Sequence, residues 1–206
     1  MILDYAPIDA EWDPPRVVSS ILTMDECQDT IRQSEPHFTR STEYTPDGPC
    51  KDVTMNRTSE STTLERSSPV AQKIITKASE LAGVPVENCE DIQVVRYKPG
   101  MYYKPHHDAC CDDTGECVQF AQEGGQRIGT LIVYLNEDFA DGETHFPEYD
   151  NLKLKPPTGS GVFFRPLGTT DRRCHPLALH AGLPTSQGIK YICTAWVREF
   201  SIPIEE

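Results

Sequence analysis

The chain has 206 residues, of which 37% are hydrophobic and 25% are charged, a composition typical of one folded domain with its own core. Its 19 Lys and Arg against 32 Asp and Glu give a formal net charge of -13, which repels phosphate backbones and argues against a broad nucleic-acid interface. The sequence has neither a membrane-spanning apolar run nor the basic and then apolar pattern of an export signal. We therefore expect a single domain over 1–206 in the cytoplasm, with no nucleic-acid or membrane partner, and the oligomeric state stays open.

Two helices are predicted in the first half of the chain. Thr23 and Glu26 form a capping box that begins a short amphipathic helix within 19–34. Apolar residues recur at helical spacing over 69–81, and a glycine follows as a stop. Between the helices, 39–68 is rich in Thr, Ser, Glu and Pro and has almost no apolar periodicity, which predicts a long mobile loop.

Short strands are predicted from residue 91 onward. The segments are rich in β-branched or aromatic residues, are bounded by Gly, Pro and Asp, and lie at 92–97, 128–135, 161–164 and 189–199. Because no helical pattern separates them, a parallel βαβ sheet is excluded and a sandwich or barrel remains. We expect a mainly β (α+β) fold, with a jelly-roll barrel over about 91–200 and the N-terminal helices packed outside.

Candidate metal ligands occur in two separate segments. His106 and Asp108 lie two residues apart, and alternate residues of an extended chain project to the same side, so His107 should point away. His180 offers a third ligand near the end of the β region, with His175 as a rival. Two imidazoles and one carboxylate leave three open positions on an octahedral metal, which suits non-haem Fe(II) better than zinc.

The last predicted strand carries a lysine on the same face as an aromatic residue. Lys190 and Trp196 lie an even number of residues apart, so in a strand they face the same side. The residues that face the other side are those of a core: Ile189, Tyr191, Cys193, Ala195 and Val197. A lysine in mid-strand is costly to bury unless an anion meets it. We therefore expect Lys190 to meet the carboxylate of a bound small molecule.

Four motifs occur in a fixed order along the chain: Y…G…Y…PHxD at 97–108, GGQRIGTLIVYL at 124–135, DGETHFP at 141–147, and HAG at 180–182 with a lysine ten residues after the histidine. In this order and spacing they resemble the prolyl 4-hydroxylase branch of the Fe(II)/2-oxoglutarate-dependent dioxygenases, over about 19–200. The resemblance implies a double-stranded β-helix (jelly-roll). Departures from the family pattern at Met101 and Asp141 concern the substrate more than the iron.

The resemblance also implies roles for individual residues. The catalytic iron ligands would be His106, Asp108 and His180. Lys190 would bind the C5 carboxylate of 2-oxoglutarate, and the same pocket would be lined by Tyr97, Thr144 and Trp196, three residues that would also suit ordinary packing inside a barrel. Substrate contacts would come from Tyr103 and Arg127, and from Arg57 and Ser59 in the mobile substrate-covering loop.

The implied reaction is hydroxylation of an aliphatic carbon with Fe(II), 2-oxoglutarate and O2, with ascorbate as a candidate reductant. 2-Oxoglutarate would be decarboxylated to succinate, and the expected target is C4 of prolyl residues in a peptide or protein, as for a procollagen-proline 4-dioxygenase. Halogenating relatives have a small residue in place of the carboxylate ligand, so Asp108 favours hydroxylation. The alternatives are the same chemistry on a free amino acid, another side chain or a small metabolite, and a non-catalytic metal-binding or interaction module.

A cysteine cluster directly follows the first pair of candidate ligands. Eight cysteines in 206 residues are too few for a disulfide-stapled mini-protein, which favours a reducing cytoplasm. We expect Cys110, Cys111 and Cys117 to lie in an exposed insertion loop, with reduced thiols or a local disulfide. A structural zinc site is the alternative, although a fourth ligand is not obvious.

Overall fold

The computed structural model describes residues 4–45, 48–50, 55–112, 115–122 and 124–202. Its α-helices are α1 (Met24–Ser34), α2 (Pro69–Ala82) and α3 (Gly115–Gln122), with single 3-10 turns at Glu35–His37, Val86–Asn88 and Pro176–Ala178. Its strands are β1 (Arg16–Val18), β2 (Thr39–Arg40), β3 (Glu43–Thr45), β4 (Gly48–Cys50), β5 (Glu60–Thr63), β6 (Gln93–Tyr97), β7 (Tyr103–His106), β8 (Arg127–Tyr134), β9 (Ala140–Asp141), β10 (Thr144–Phe146), β11 (Leu152–Leu154), β12 (Gly161–Phe164), β13 (His180–Gly182), β14 (Thr185–Gln187) and β15 (Lys190–Arg198). Within the described residues, none of the helices has both the length and the apolar character needed to span a membrane.

Two antiparallel sheets form the body of the structure. The major sheet has the strand order β1-β12-β8-β15-β6-β5-β2, and the minor sheet has the order β11-β10-β13-β7. Two small antiparallel pairs, β14-β9 and β3-β4, complete the pairing. This arrangement is the double-stranded β-helix, or jelly-roll, and it confirms the predicted fold class.

Strand alternation divides the core into two clusters. Ile132 of β8 and Ile192 of β15 belong to the cluster between the two sheets. Their neighbours Leu131 and Cys193 point to the opposite face and pack in the cluster that includes Ile74 of α2. Because successive side chains of a strand alternate between faces, one strand builds both the cavity wall and the helix-facing core.

The predicted helices α1 and α2 are confirmed, and their ends follow from local chemistry. The Glu26 amide donates to Thr23 Oγ1 at 3.2 Å and the Thr23 amide donates to Glu26 Oε2 at 2.9 Å, so the capping box satisfies two backbone donors. Ser68 caps α2, and Gly83 ends it with a left-handed φ of 78° that a Cβ atom would disfavour. The four predicted strands match β6, β8, β12 and β15 closely.

The segment 39–68 is more structured than its composition predicts. Its ends form β2 and β5, which join the major sheet beside β6, while β3 pairs with β4. Their short, polar sequences pair at a sheet edge through backbone groups, so they carry no apolar alternation from which a strand could be predicted. Residues 46–47 and 51–54 lie outside the described residues, and the mobility of the segment stays a prediction.

The cysteine cluster forms two disulfides, and the expectation of reduced thiols there is wrong. Cys110 is joined to Cys117 of α3, which is the local disulfide expected as one alternative, and Cys111 is joined to the distant Cys174, which was not expected. With these sulfurs cross-linked, the zinc alternative is excluded. Disulfides persist in oxidising compartments, so the finding runs against a reducing cytoplasm. Helix α3 was also missed, since this stretch was assigned to a loop.

Replacing Ile74 with Ala should destabilise the protein by about 2–5 kcal/mol, because this fully buried side chain of α2 would leave a cavity in the helix-facing core. Thr76→Ala, an exposed position of the same helix, should change the free energy of unfolding by less than about 0.5 kcal/mol. Urea unfolding with linear extrapolation measures both values. Equal losses would mean that α2 is not packed as described.

Candidate active site

A cavity of about 430 Å³, including its open mouth, lies between the two sheets. It is lined by all the residues predicted as metal ligands or as walls of the cofactor pocket: His106, Asp108, His180, Lys190, Tyr97, Thr144 and Trp196. Two of the predicted substrate contacts, Tyr103 and Arg57, line it as well. The sequence positions are far apart, and the fold brings them to one place.

His106, Asp108 and His180 converge at this cavity. His106 on β7 is paired directly with His180 on β13, and Asp108 follows β7 by two residues. Nε2 of His106 lies 3.5 Å from Asp108 Oδ1, and Nε2 of His180 lies 3.5 Å from Asp108 Oδ2. One ligand atom from each residue lies within 4.8 Å of the others, so the three side chains could hold one metal ion.

Backbone carbonyls orient both imidazoles toward this point. Nδ1 of His106 lies 2.8 Å from the carbonyl oxygen of Lys104, and Nδ1 of His180 lies 3.0 Å from that of Ala178. Since a carbonyl only accepts, each Nδ1 carries the proton and each Nε2 presents its lone pair to the cavity. Burial lowers the pKa of His180 to about 4, which keeps the ring in the neutral form that binds metals.

Asp108 is held as a buried carboxylate. Burial alone would raise the pKa of its carboxyl group, but the His180 and His106 imidazoles, with Arg127, hold this pKa below its usual range. Thr130 on β8 donates its hydroxyl to Asp108 Oδ2 at 2.7 Å. This bond occupies one carboxylate oxygen and leaves Oδ1 as the freer ligand atom. Thr130 was not predicted as a site residue, although it belongs to the GGQRIGT motif.

The two other histidines considered in the sequence lie elsewhere. His175, the rival third ligand, stacks on Trp12 with ring centroids 5.0 Å apart, and its Nε2 lies 3.2 Å from the carbonyl oxygen of Ala10. His107 packs against the ring of Tyr5 at 5.2 Å. Neither lines the cavity, so the choice of His180 over His175 agrees with the geometry.

Lys190 is a buried cation with no carboxylate partner among the described residues. Its side chain is 1% exposed, and Nζ donates to the carbonyl oxygen of Gly142 at 2.7 Å. The faces of Tyr97 and Tyr134 lie 5.2 and 4.9 Å from Nζ. Burial lowers the pKa of Lys190 to about 7, with Glu143 opposing this shift and Lys155 adding to it. An anion in the cavity would stabilise the charged form.

A pair of hydroxyl groups joins the two sheets near Lys190. Tyr134 Oη lies 2.8 Å from Thr144 Oγ1 and accepts from the Thr144 amide at 3.0 Å. Trp196 Nε1 is buried and has no hydrogen-bond partner in the part of the chain that the structure describes. A buried donor without a partner is costly, so the indole N–H is available to a polar ligand.

One guanidinium group and two aromatic rings stack on one another along the cavity wall at His106. The Arg57 guanidinium lies 4.8 Å from the centre of the Tyr103 ring, and Tyr103 stacks on His106 at 3.5 Å with an interplanar angle of 16°. Arg57 is held by Ser59 Oγ at 2.8 Å and by Gln93 Oε1 at 2.8 Å. Ser59 is fully buried behind Arg57 and does not line the cavity, so it supports the wall rather than forming it.

Arg127 was predicted to contact the substrate, but it does not line the cavity. Its Nε and Nη2 atoms each donate to Glu90 at 2.7 Å, and its guanidinium lies 4.0 Å from the centre of the Trp196 ring. Its Nη1 also approaches the Asp108 carbonyl oxygen at 3.4 Å. Arg127 thus packs behind Trp196 and beside the Asp108 segment, because Glu90 neutralises it within the fold.

The donor set fits a metal ion that keeps open coordination positions. Two imidazoles and one carboxylate with no fourth protein ligand among the described residues match the facial triad of non-haem Fe(II) oxygenases. The same cavity holds a buried lysine without an ion-pair partner among the described residues. An anionic co-ligand that also reaches the metal would satisfy this lysine.

Comparison with known proteins identifies this arrangement. The family model of the 2OG-Fe(II) oxygenase superfamily matches residues 92–198. A putative prolyl 4-hydroxylase of Acanthamoeba polyphaga mimivirus is 38% identical over 195 residues, covering 95% of this chain and 78% of that protein. Prolyl 4-hydroxylase 1 of Arabidopsis thaliana is 32% identical over 204 residues, and the alignment covers 91% of this chain and 70% of that protein.

A solved structure gives the same result. The viral collagen prolyl hydroxylase from Paramecium Bursaria Chlorella virus-1, in its 2OG complex, has a TM-score of 0.69 and 32% identity, and the alignment covers 90% of this chain and 96% of that one. The resemblance inferred from the four sequence motifs is confirmed. The chain belongs to the 2OG-Fe(II) oxygenase superfamily and is similar to its prolyl 4-hydroxylases over most of its length.

Proposed function

We propose that this protein hydroxylates C4 of prolyl residues in a peptide or protein, using Fe(II), 2-oxoglutarate and O2. The observation that carries the proposal is one cavity that combines an open two-histidine, one-carboxylate set with a buried lysine lacking a counter-ion. When bound, the iron with 2-oxoglutarate and O2 supplies the oxidising chemistry that converts C–H to C–OH, while 2-oxoglutarate becomes succinate and CO2. The names of the relatives support prolyl groups as the target.

His106, Asp108 and His180 are the proposed iron ligands. The carbonyl partners of the two Nδ1 atoms fix both rings, so neither imidazole needs to reorient when the metal binds. The Thr130 hydroxyl fixes the carboxylate by its other oxygen. With three protein ligands, the bound metal would keep positions for the co-substrate and O2.

Lys190 is the proposed partner of the C5 carboxylate of 2-oxoglutarate. The pairing would satisfy a charge that the fold otherwise leaves buried without a counter-ion among the described residues. The hydroxyls of Tyr134 and Thr144, already fixed by each other, and the ring of Tyr97 complete this end of the pocket. Trp196 offers its free indole N–H to the bound ligands.

The peptide is proposed to enter beside Arg57 and Tyr103. These side chains form the wall next to His106, and they lie where 39–68 meets the minor sheet. The Thr58 amide donates to the Tyr102 carbonyl at 2.9 Å, and the Lys104 amide donates to the Asn56 carbonyl at 2.8 Å. We propose that the rest of 39–68 covers the peptide from this anchored base. The net charge of -13 supports a peptide over a nucleic acid as substrate.

The proposal is tested by incubating the anaerobically Fe(II)-loaded protein with 2-oxoglutarate and O2, with and without proline-rich peptides. Succinate formation that depends on peptide, with a peptide mass gain of one oxygen atom, is expected. Asp108→Ala, which removes one proposed ligand, should abolish both signals. Succinate without peptide modification would retain the chemistry and discard the substrate, and no succinate with any substrate would favour a binding module.

The affinity for 2-oxoglutarate should fall by about tenfold per pH unit above pH 7. The pKa of Lys190 in the empty pocket is about 7 and would be higher beside a carboxylate, so binding between these two pKa values takes up one proton. Below pH 7 the lysine is already charged and the affinity should level off. Calorimetry of the Mn(II)-loaded protein in buffers of different ionisation enthalpy measures the proton uptake.

Lys190→Met is the control for this pH dependence. It should bind 2-oxoglutarate weakly at every pH and should lose the proton uptake, while its affinity for Mn(II) stays near that of the wild type. A proton uptake that persists in Lys190→Met would assign the titration to another group and contradict the prediction.

Thr130→Val should weaken metal binding by about 10- to 100-fold, because the isosteric side chain removes the hydrogen bond that orients Asp108. Thr130→Ser retains the hydroxyl and should restore most of the affinity. Titration with Mn(II), followed by electron paramagnetic resonance, measures the dissociation constants, with thermal unfolding as a check on folding. Equal losses in the Val and Ser variants would show that packing, and not the hydrogen bond, is responsible.

A further inference from the structure

We propose that the Cys111–Cys174 disulfide positions the two segments that carry Asp108 and His180 and thereby sets the affinity of the site for Fe(II). This inference rests on the proposed ligand set. Nothing in the hydroxylation chemistry itself uses the cysteines. Their place in the chain relative to the ligands is what points to a role.

The cross-link joins the two ligand segments close to the ligands. Cys111 follows Asp108 by three residues, and Cys174 precedes His180 by six. The disulfide connects them across a sequence separation of 63, with Cα atoms 5.4 Å apart. His106 and His180 are already tied by the pairing of β7 with β13. The disulfide adds a second tie, on the Asp108 side of the site.

The N-terminal segment reinforces the same junction. The Asp4 amide donates to the Cys111 carbonyl at 2.9 Å, and the Ala6 amide donates to the Cys174 carbonyl at 2.8 Å. Tyr5, between them, forms a parallel bridge with Cys174 and contacts the ring of His107. The N-terminal segment, the segment after Asp108 and the segment before His180 therefore meet at the disulfide, next to His107.

Each ligand segment also has contacts of its own, so the disulfide is not its only restraint. Gln126 holds the backbone of Cys110 through two hydrogen bonds of 3.0 Å. Cys174 forms an antiparallel bridge with Leu167. What the disulfide adds is a covalent tie between the two segments. Metal sites need their ligands within about 0.5 Å of the productive geometry, so a looser junction must be ordered when the metal binds.

The cross-link can be opened chemically without touching the ligands. Cys174 is buried, but Cys111 is half-buried, so a small reductant can approach from its side. A water-soluble trialkylphosphine attacks one sulfur and breaks the S–S bond. Water then supplies the oxygen of the phosphine oxide and the two protons of the resulting thiols. The reductant is removed by desalting, so it does not compete for the metal.

The test compares the Mn(II) affinity of the oxidised protein, the phosphine-reduced protein, and the double variant Cys111→Ser/Cys174→Ser under anaerobic conditions. Both altered forms should bind Mn(II) at least about tenfold more weakly than the oxidised protein. Reoxidation should restore the affinity of the reduced wild type. Alkylation and mass spectrometry identify which cysteines are reduced; among the described side chains, the unpaired cysteines Cys27, Cys89 and Cys193 are buried and should react slowly.

The matched control is Cys110→Ser/Cys117→Ser. It removes the neighbouring disulfide, which ties Cys110 to α3 and reaches no second ligand, and its Mn(II) affinity should stay within about threefold of the wild type. If the Cys111→Ser/Cys174→Ser protein does not fold, reversible reduction of the Cys110→Ser/Cys117→Ser protein, which lacks the neighbouring disulfide, carries the test.

The outcomes separate this inference from the proposed ligand set. Mn(II) binding that survives Asp108→Ala would mean that the ligands are wrongly assigned. Binding that depends on Asp108 but is unchanged on loss of the Cys111–Cys174 bond would overturn only the positioning role. A loss of affinity as large in the control pair would assign the effect to general loosening and would also overturn it.

Discussion

The site depends on the backbone pairing of β7 with β13, which sets His106 directly opposite His180. Paired positions on adjacent antiparallel strands have Cβ atoms about 5 Å apart, close enough for both rings to reach one ion. The register shifts between His180 and Gly182, so the regular ladder is interrupted immediately after the ligand. Asp108 follows β7 where the strand has ended, and it turns back between the two rings.

Buried charges show which parts of this protein are structural and which await a ligand. Glu90 is half-buried between Arg127 and Arg198, and these two arginines hold the pKa of its carboxyl below the usual range although desolvation opposes them. Both arginines thus have a carboxylate partner within the fold, and Arg127 supports Trp196 from behind. Lys190 is more deeply buried, and among the described residues it has a carbonyl oxygen and two aromatic faces in contact but no carboxylate close enough for an ion pair. A buried charge without a counter-ion costs stability, so a fold that retains one favours an anionic ligand.

Local periodicity predicted much of the site, and long-range pairing accounts for most of what it missed. Period-two alternation placed His106 with Asp108 and put Lys190 and Trp196 on one face of β15, and all four line the cavity. The family resemblance favoured His180 over His175 as the third ligand and added Thr144, which no local pattern could connect to the other residues. No local signal indicated that Glu90 would neutralise Arg127, since they lie on different elements. In the same way, the partner of Cys111 lies 63 residues away, in a segment without any pattern of its own.

The ligand strand and the proposed substrate cover are parts of one hydrogen-bonded unit. β7 is the edge strand of the minor sheet, and residues 56–58 pair with it through the amides of Thr58 and Lys104. Arg57, carried by this segment, stacks on Tyr103, which in turn stacks on His106. A displacement of residues 56–58 would therefore change the packing on His106, a proposed iron ligand, through two ring contacts. The proposed peptide-facing wall and the proposed metal site thus share one strand, so we expect peptide binding at the wall to affect the geometry of the ligands.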